Sequence, residues 1–358
     1  MTPALYERKT TCGRGAVRCA AIVLLTTSFL AVSAISFPLR AADEFYAGKV
    51  ITIIVDGKGA YERYARTFMR YMPKYIPGHP SMIVKAMPGA SGVKAATYLD
   101  KIAPRDGTVI AGLHGAVITS PLLFPDTARY DVNAFSWIGN ATRDTYLAYV
   151  WHTAPIYSVD DFRTKPIVVG GSSIGGAGID MAIIAKELFG FKIKIVSGYP
   201  TSNDTKLAME RGEIQGTIAN GWSSLNTTDW LAKKKVRIII QHGSKKRPDL
   251  QDIPLFIELA RNDEERKMIR LMEVREEIAK PYLAPPGLPP DRLAILRHAF
   301  DATMKDPDFL GDLKKANMEV DEPLSGAELA ATVKEISETP PSVVKRLITL
   351  FAEAKDLN

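Results

Sequence analysis

Cysteine is almost absent from this chain of 358 residues. Its two cysteines, Cys12 and Cys19, both lie within the first forty residues. The remainder of the sequence therefore excludes disulfides, thiolate nucleophiles and cysteine metal sites. Histidine is also scarce, and no two of the five histidines have metal-ligand spacing. We therefore predict no catalytic residue, no metal site and no cofactor.

The N-terminal segment has the pattern of an export signal. Basic residues precede an apolar run over 20–37, which ends shortly before Ala41. We predict a signal peptide over 1–41 and a periplasmic mature protein; cleavage after Ala34 and an uncleaved membrane anchor are the alternatives. Five Lys or Arg against one Glu in this segment account for +4 of the formal net charge of +6. A mature chain near +2 argues against nucleic acid as a partner.

Beyond this segment the chain repeats an apolar strand, a glycine-rich loop and a helix. The predicted strands cover 50–55, 81–87 and 108–113, and then 167–169, 192–197, 214–219 and 236–241. Their uninterrupted β-branched runs indicate strands that are buried on both faces, so the predicted fold class is α/β with parallel sheets. Loops that follow parallel strands meet at one edge of a sheet, which is where ligands bind.

Two segments divide the strands into two sets, which predicts a clamshell of two lobes with two hinge crossings. The predicted hinge residues are Tyr149, Val150, Trp151, Ala284 and Pro285. The first lobe then comprises 42–147 and 284–358, and the second lobe is the insert 148–283. The charge-rich segment 261–277 is predicted as an exposed helix, because charges of both signs alternate along it.

The loops after the strands carry the predicted ligand contacts. Glycine lets a ligand approach the backbone closely, and the N–H groups that open a helix favour an anion. The predicted contact residues are Gly57, Lys58, Gly59, Ala60, Tyr61, Gly89, Ala90, His114, Gly115, Ser172, Ser173, Gly175, Gly176, Asn220 and Trp222. Each also has a structural interpretation: ordinary turns for the glycine loops, a structural hydrogen bond for His114, and a core position for Trp222. No Walker A or G-x-G-x-x-G pattern supports a nucleotide.

Several short motifs follow one another in an order known from one family. They are Pro88-Gly89-Ala90-Ser91-Gly92, Ala103-Pro104-Arg105-Asp106-Gly107-Thr108, Gly171-Ser172-Ser173, Met209-Glu210-Arg211-Gly212-Glu213, Pro248-Asp249-Leu250 and Leu283-Ala284-Pro285-Pro286-Gly287. This series resembles the substrate-binding receptors of tripartite tricarboxylate transporters, the Bug-type receptors. The resemblance implies a type II periplasmic-binding-protein (Venus-flytrap) fold, capture of small organic acids, usually carboxylates, and delivery to membrane permease subunits.

The first loop departs from that family, in which it usually reads P-G-G-G-x-D. The matching positions run from Gly57 to Glu62 and place Lys58 where the family has a glycine. Its ammonium group could pair with a ligand carboxylate, or its side chain could narrow the site.

The sequence therefore predicts a monomeric periplasmic receptor that captures a small organic acid and delivers it to a membrane transporter. Lobe closure over the ligand would be its mechanism. One alternative is a ligand-sensing protein that passes its closed form to a signalling partner. The other is an exported α/β enzyme, for which the sequence offers no nucleophile, base or metal with an evident partner.

Overall fold

The computed structural model describes residues 45–57, 60–316, 318 and 320–354. The predicted signal peptide lies outside the described residues, as do Lys58 and Gly59 of the first loop. Among the described residues, no helix combines the length and the apolar character needed to cross a membrane.

The described strands form two sheets. The strands are β1 (Val50–Val55), β2 (Ser81–Ala86), β3 (Val109–Gly112), β4 (Ser136–Asn140), β5 (Tyr146–Trp151), β6 (Ile167–Gly170), β7 (Ile193–Val196), β8 (Gly216–Gly221), β9 (Val236–Gln241), β10 (Pro281–Ala284) and β11 (Leu324–Ser325). The first sheet has the order β11-β4-β10-β3-β1-β2, and the second has the order β7-β6-β8-β5-β9. All seven predicted strands are present. Four described strands were not predicted as strands: β4 and β11, and also β5 and β10, whose segments were predicted to link the lobes.

Helices cover the faces of both sheets. They are α1 (Ala60–Tyr71), α2 (Val93–Lys101), α3 (Ala116–Leu123), α4 (Val159–Thr164), α5 (Ala177–Phe189), α6 (Ser202–Glu210), α7 (Trp222–Leu225), α8 (Asp263–Glu277), α9 (Pro290–Thr303), α10 (Pro307–Lys315), α11 (Gly326–Ser337) and α12 (Pro341–Glu353). The strands β1, β2 and β3 are parallel, as are β6, β7 and β8. In the first sheet β4 and β10 each run antiparallel to both of their neighbours, and in the second sheet β5 does so.

The predicted hinge residues lie in β5 and in or beside β10. Tyr149 pairs with Thr217 on one side and with Ile238 on the other, and Val150 and Trp151 belong to the same strand. A change of their backbone dihedrals would strain the ladder hydrogen bonds on both sides. Their role as a hinge stays a prediction.

The second predicted hinge lies at the end of a paired strand. Ala284 ends β10, where it pairs with Ser136 of β4, and Pro285 follows the strand. The chain changes sheet instead at 141–145, between β4 and β5, and at 278–280, between α8 and β10.

One hydrophobic cluster continues from the first sheet to the second. It includes Ile54 and Leu283 of the first sheet and Val169 and Ile218 of the second. The C-terminal helix α12 packs against α3, which follows a strand of the first sheet, and against α5 and α8, which follow strands of the second sheet. Burial of this apolar surface is the main favourable contribution to folding.

The charge-rich helix α8 is buried over its second half, contrary to the predicted exposed helix. Asn262 caps its exposed first turn by accepting a hydrogen bond from the Glu265 N–H. Leu271, Met272 and Val274 are each no more than 1% exposed. The charges on this half are tolerated because they have partners inside the fold, which a count of charges along the sequence does not reveal.

Candidate functional site

A cleft of about 210 Å³ opens at the carboxyl ends of strands from both sheets. The second sheet contributes the loop between β6 and α5, the start of α6 and the end of β8. Ser91 and His114 line the cleft from loops that follow β2 and β3 of the first sheet. This is the edge at which ligands bind in parallel α/β sheets.

Hydrogen-bond donors are concentrated where α5 begins. Gly176 is its N-cap, and the N–H groups of Ala177 and Gly178 in the first turn have no intrahelical acceptor. A Cβ on Gly178 would come within 3.3 Å of the Ala219 carbonyl oxygen, so glycine permits the close approach of α5 to β8. The partial positive charge of this helix end favours an anionic ligand group.

The start of α6 adds hydroxyl groups to the same end of the cleft. Thr201 is the N-cap residue: its hydroxyl oxygen accepts from the Asp204 N–H, and the Asp204 carboxylate accepts from the Thr201 N–H. Ser202 and Thr205 line the cleft beside it. The capping box positions this turn toward the cleft without using the Ser202 hydroxyl.

His114 lies on the opposite wall as a neutral donor. Its Nδ1 accepts a hydrogen bond from the Ala116 N–H at 3.0 Å, so the ring proton resides on Nε2. Burial, together with the positive charges of Arg275 and Lys280, lowers the pKa of His114 to about 4. The ring is therefore uncharged at neutral pH, with Nε2–H available to a ligand oxygen.

The floor of the cleft is acidic. Glu276 lines it and is 6% exposed. Burial raises the pKa of Glu276 to about 7, although Arg275 and a hydrogen bond from Tyr146 oppose the rise. Asp144 and Asp180 raise it further through their negative charges. At neutral pH this carboxyl group is thus only partly ionised.

Asn220 brings a second acceptor to the same region. The residue lines the cleft and is 5% exposed. Its Oδ1 is buried and has no hydrogen-bond partner within the described part of the chain. A buried acceptor without a partner is unfavourable unless a water or a ligand donates to it.

A buried ion pair holds the floor in place. The Arg275 guanidinium donates to Asp180 Oδ2 at 3.0 Å, and the side chains of both residues are 2% exposed. Asp180 Oδ1 accepts from the Gly175 N–H at 2.8 Å. The pair thus connects the end of α8 to the glycine loop and the first turn of α5.

The predicted contact residues divide into two groups. Those that line the cleft are His114, Ser172, Gly175, Gly176 and Asn220. Those outside the lining are Gly57, Tyr61, Gly89, Ala90, Gly115, Ser173 and Trp222. Ala60 begins α1, and Lys58 and Gly59 are not among the described residues.

Two of the outlying residues have structural surroundings. Gly115 packs directly against the backbone of α8 and of the segment that follows it, where a Cβ would overlap carbonyl oxygens. The Trp222 ring lies beneath the Arg247 guanidinium, 4.2 Å from its carbon. Their roles as ligand contacts stay predictions.

Sequence reasoning missed Glu276, Tyr146, Thr201 and Thr205, all of which line the cleft. One signal was available for Glu276. It ends a stretch in which five apolar residues, from Met268 to Val274, are interspersed with charges. A solvent-exposed helix rarely contains so many apolar residues. This part of the helix is therefore predicted to be buried, together with the charged residues between and beside them.

The solved structures similar to this chain include periplasmic and solute-binding proteins. A TctC solute-binding protein from Polaromonas has a TM-score of 0.65 at 17% identity over 86% of this chain and 99% of its own. MatC from Rhodopseudomonas palustris with bound malate has a TM-score of 0.61 at 18% identity over 84% of this chain and 99% of its own. A second R. palustris protein, with adipate, has a TM-score of 0.61 at 19% identity over 84% of this chain and 97% of its own.

The chain has the two-lobe fold of these periplasmic binding proteins. The predicted fold class is therefore confirmed. No protein-family model matches the sequence, and no curated protein matches it. The similarity thus lies in the fold, while fewer than one residue in five is identical to those three structures.

Within this fold, the glycine loop does not form a nucleophile elbow. Gly171-Ser172-Ser173-Ile174-Gly175 matches the letters G-x-S-x-G. The elbow requires a strained serine at a sharp turn directly before a helix. Ser173 has no positive φ, and α5 begins four residues later, at Ala177. The geometry therefore does not present Ser173 as a nucleophile.

Glu276→Gln is expected to change how stability depends on pH. The pKa of Glu276 is higher in the folded state than in the unfolded state, so between about pH 4.5 and 7 the folded protein binds more protons than the unfolded chain does. The free energy of unfolding therefore falls as the pH rises through that range. Relative to Glu276→Gln, the unmodified protein should lose about 2 kcal/mol of unfolding free energy between pH 5 and pH 8. Urea titrations of both proteins at the two pH values measure this.

The neighbours that bear on this titration are Arg275, Tyr146, Asp144 and Asp180. Glu264→Gln is the matched control, since Glu264 is exposed on the first turn of the same helix. Parallel pH profiles for the unmodified protein and Glu276→Gln would contradict the raised pKa.

Proposed function

We propose that this protein is a periplasmic substrate-binding receptor that captures a small organic acid and delivers it to membrane permease subunits. The observation that carries the proposal is the cleft itself. The start of α5 and the start of α6 meet there with the Ser172 hydroxyl and the neutral His114 ring, all as donors. A carboxylate is the ligand group that such a set of donors suits best.

The comparisons support this proposal at the level of the fold. Two of the similar structures contain bound malate and adipate, which are small organic acids. The resemblance of the short motifs to Bug-type receptors agrees with them. We propose binding in place of catalysis, since the neighbours named above are binding proteins and the glycine loop lacks an elbow.

Capture would proceed by closure of two lobes. We propose that the first lobe contains the first sheet and the second lobe the second sheet, with movement at 141–145 and 278–280. Asp144 lies on the first of these segments and accepts a hydrogen bond from the Ser223 N–H at 3.2 Å. A ligand that contacts both lobes stabilises the closed state by its higher affinity for that state.

A thermal-shift screen of the protein without residues 1–41 tests the proposal. Mono-, di- and tricarboxylates, aromatic acids and neutral compounds are the candidates. We expect a saturable shift with one class of acid, because a ligand at a hundred times its Kd adds about 2.7 kcal/mol of stability. The absence of a shift with every acid, or turnover of an acid, would contradict a receptor for organic acids.

Two neighbouring serines supply a matched pair of variants for the same screen. Ser172 lines the cleft, whereas Ser173 is exposed outside the lining. Ser172→Ala should weaken the affinity for the acid about tenfold, since a hydrogen bond to a charged group contributes roughly 1.5–3 kcal/mol. Ser173→Ala should leave the affinity unchanged. Equal effects would place the acid elsewhere.

A further inference from the structure

Two parts of the cleft lining differ in chemistry. The part formed by the glycine loop, α5 and α6 presents N–H and hydroxyl donors. The floor presents acceptors: Asn220 Oδ1, which has no hydrogen-bond partner in the described residues, and the carboxyl group of Glu276. Both residues are more than nine-tenths buried. A ligand that satisfies both parts of the lining must carry an acceptor for the first and a donor for the second.

Charge decides which donor fits the floor. Glu276 has one positive neighbour, Arg275, and two negative neighbours, Asp144 and Asp180. Arg275 is already engaged with Asp180. Lys280 adds a second positive charge close to Asp144 and His114. Asp144, Asp180 and Glu276 thus stand against Arg275 and Lys280, so a second ligand carboxylate beside Glu276 would meet a net negative charge, whereas a cationic group would meet attraction in a site with little water.

We propose that the ligand is an organic acid that also carries a protonated amine, with its carboxylate at the glycine loop and its ammonium group between Asn220 and Glu276. This inference rests on the proposed function and specifies its substrate class. The ammonium group donates to Asn220 Oδ1 and forms an ion pair with Glu276, so binding draws the Glu276 proton off. The Tyr146 hydroxyl, which also donates to Glu276, holds the carboxyl group in place for that contact.

Three matched sets of acids test the inference by isothermal titration at pH 7.5. They are propionate, lactate and alanine; succinate, malate and aspartate; and glutarate, 2-hydroxyglutarate and glutamate. Within a set only the hydrogen, hydroxyl or ammonium group on one carbon changes. We expect the amine-bearing acid to bind at least tenfold more tightly than the unsubstituted acid in the set whose chain length fits the cleft.

Each of the other outcomes contradicts one part of the proposal. Tighter binding of the unsubstituted acid or of the hydroxy acid in every set would overturn the amine and leave the receptor for organic acids intact. Binding of butylamine as tight as that of the best amino acid would overturn the need for a carboxylate. Failure of all nine acids to bind would count against the proposed function as well.

Glu276→Gln separates the ion pair from the shape of the cleft, because the amide keeps the size of the side chain and loses its charge. We expect the preference for the amine over the unsubstituted acid to fall at least tenfold, mainly through weaker binding of the amine. Glu264→Gln, at the exposed start of the same helix, should leave the preference unchanged. An unchanged preference in a folded Glu276→Gln protein would overturn the assignment of the ammonium site.

Discussion

Arg275→Gln is expected to cost about 3–5 kcal/mol of unfolding free energy at pH 8, the largest loss that we predict for a single side chain. The substitution leaves the Asp180 carboxylate 1% exposed, with the Gly175 N–H as its remaining donor. Removing one partner of a buried ion pair leaves a charge with neither water nor a counter-charge. Denaturant titration at pH 8 measures the loss.

The physical cause can be separated from a general packing defect. Burial already raises the pKa of Asp180, so without Arg275 this carboxyl group should protonate more readily, and the loss should shrink toward pH 5. Adding Asp180→Asn should recover much of the stability, because the double variant contains no uncompensated charge.

Arg163→Gln supplies the control for an exposed pair. Arg163 pairs with Asp160, and their side chains are 40% and 84% exposed. The expected change is below about 0.5 kcal/mol. If Arg275→Gln also changed the free energy of unfolding by less than about 0.5 kcal/mol, water would have to reach the Asp180–Arg275 pair.

Gly115→Ala is expected to cost about 3 kcal/mol and to weaken ligand binding at the same time. A Cβ at Gly115 would overlap the carbonyl oxygens of Arg275 and Ile278. Backbone atoms cannot move aside as a flexible side chain does, so the end of α8 must shift away from α3. That shift displaces Glu276 from the cleft, although Gly115 itself lies outside the lining.

The matched control is Gly57→Ala, in the loop after β1. A Cβ at Gly57 would have no atom within 4 Å, and this glycine does not have a positive φ. We expect a change within about 0.5 kcal/mol. The melting temperature is the readout for both variants, and the affinity for the best acid of the thermal-shift screen is the second readout for Gly115→Ala. A native melting temperature for Gly115→Ala would contradict the close contact between α3 and α8.

The strand-following loops could be predicted because their signal is local. The β-branched run over Val50–Val55 matches β1 residue for residue, and the glycine loop after β6 lines the cleft except at Ser173 and Ile174. Strand length, burial on both faces and loop composition depend on neighbouring residues in the chain. The fold class follows from the repeated order of these elements.

Long-range pairing was harder to predict. The segment Tyr146–Trp151 is extended and aromatic in both a hinge and a central strand, and only its neighbours β8 and β9 distinguish the two. The strands β4 and β11 are short and pair with segments that are distant in sequence. Their contacts are not encoded in any local periodicity.

By itself, the sequence determined the α/β class, the seven apolar strands and the donor-rich glycine loop, since each arises from residues within about ten positions of one another. The tertiary structure alone decided the acidic floor of the cleft. Glu276 is separated from Asp144 by more than a hundred residues, and Arg275 from Asp180 by 95. The charge state of a buried group depends on the water that it loses and on the charges that the fold brings beside it, and both are properties of the folded chain.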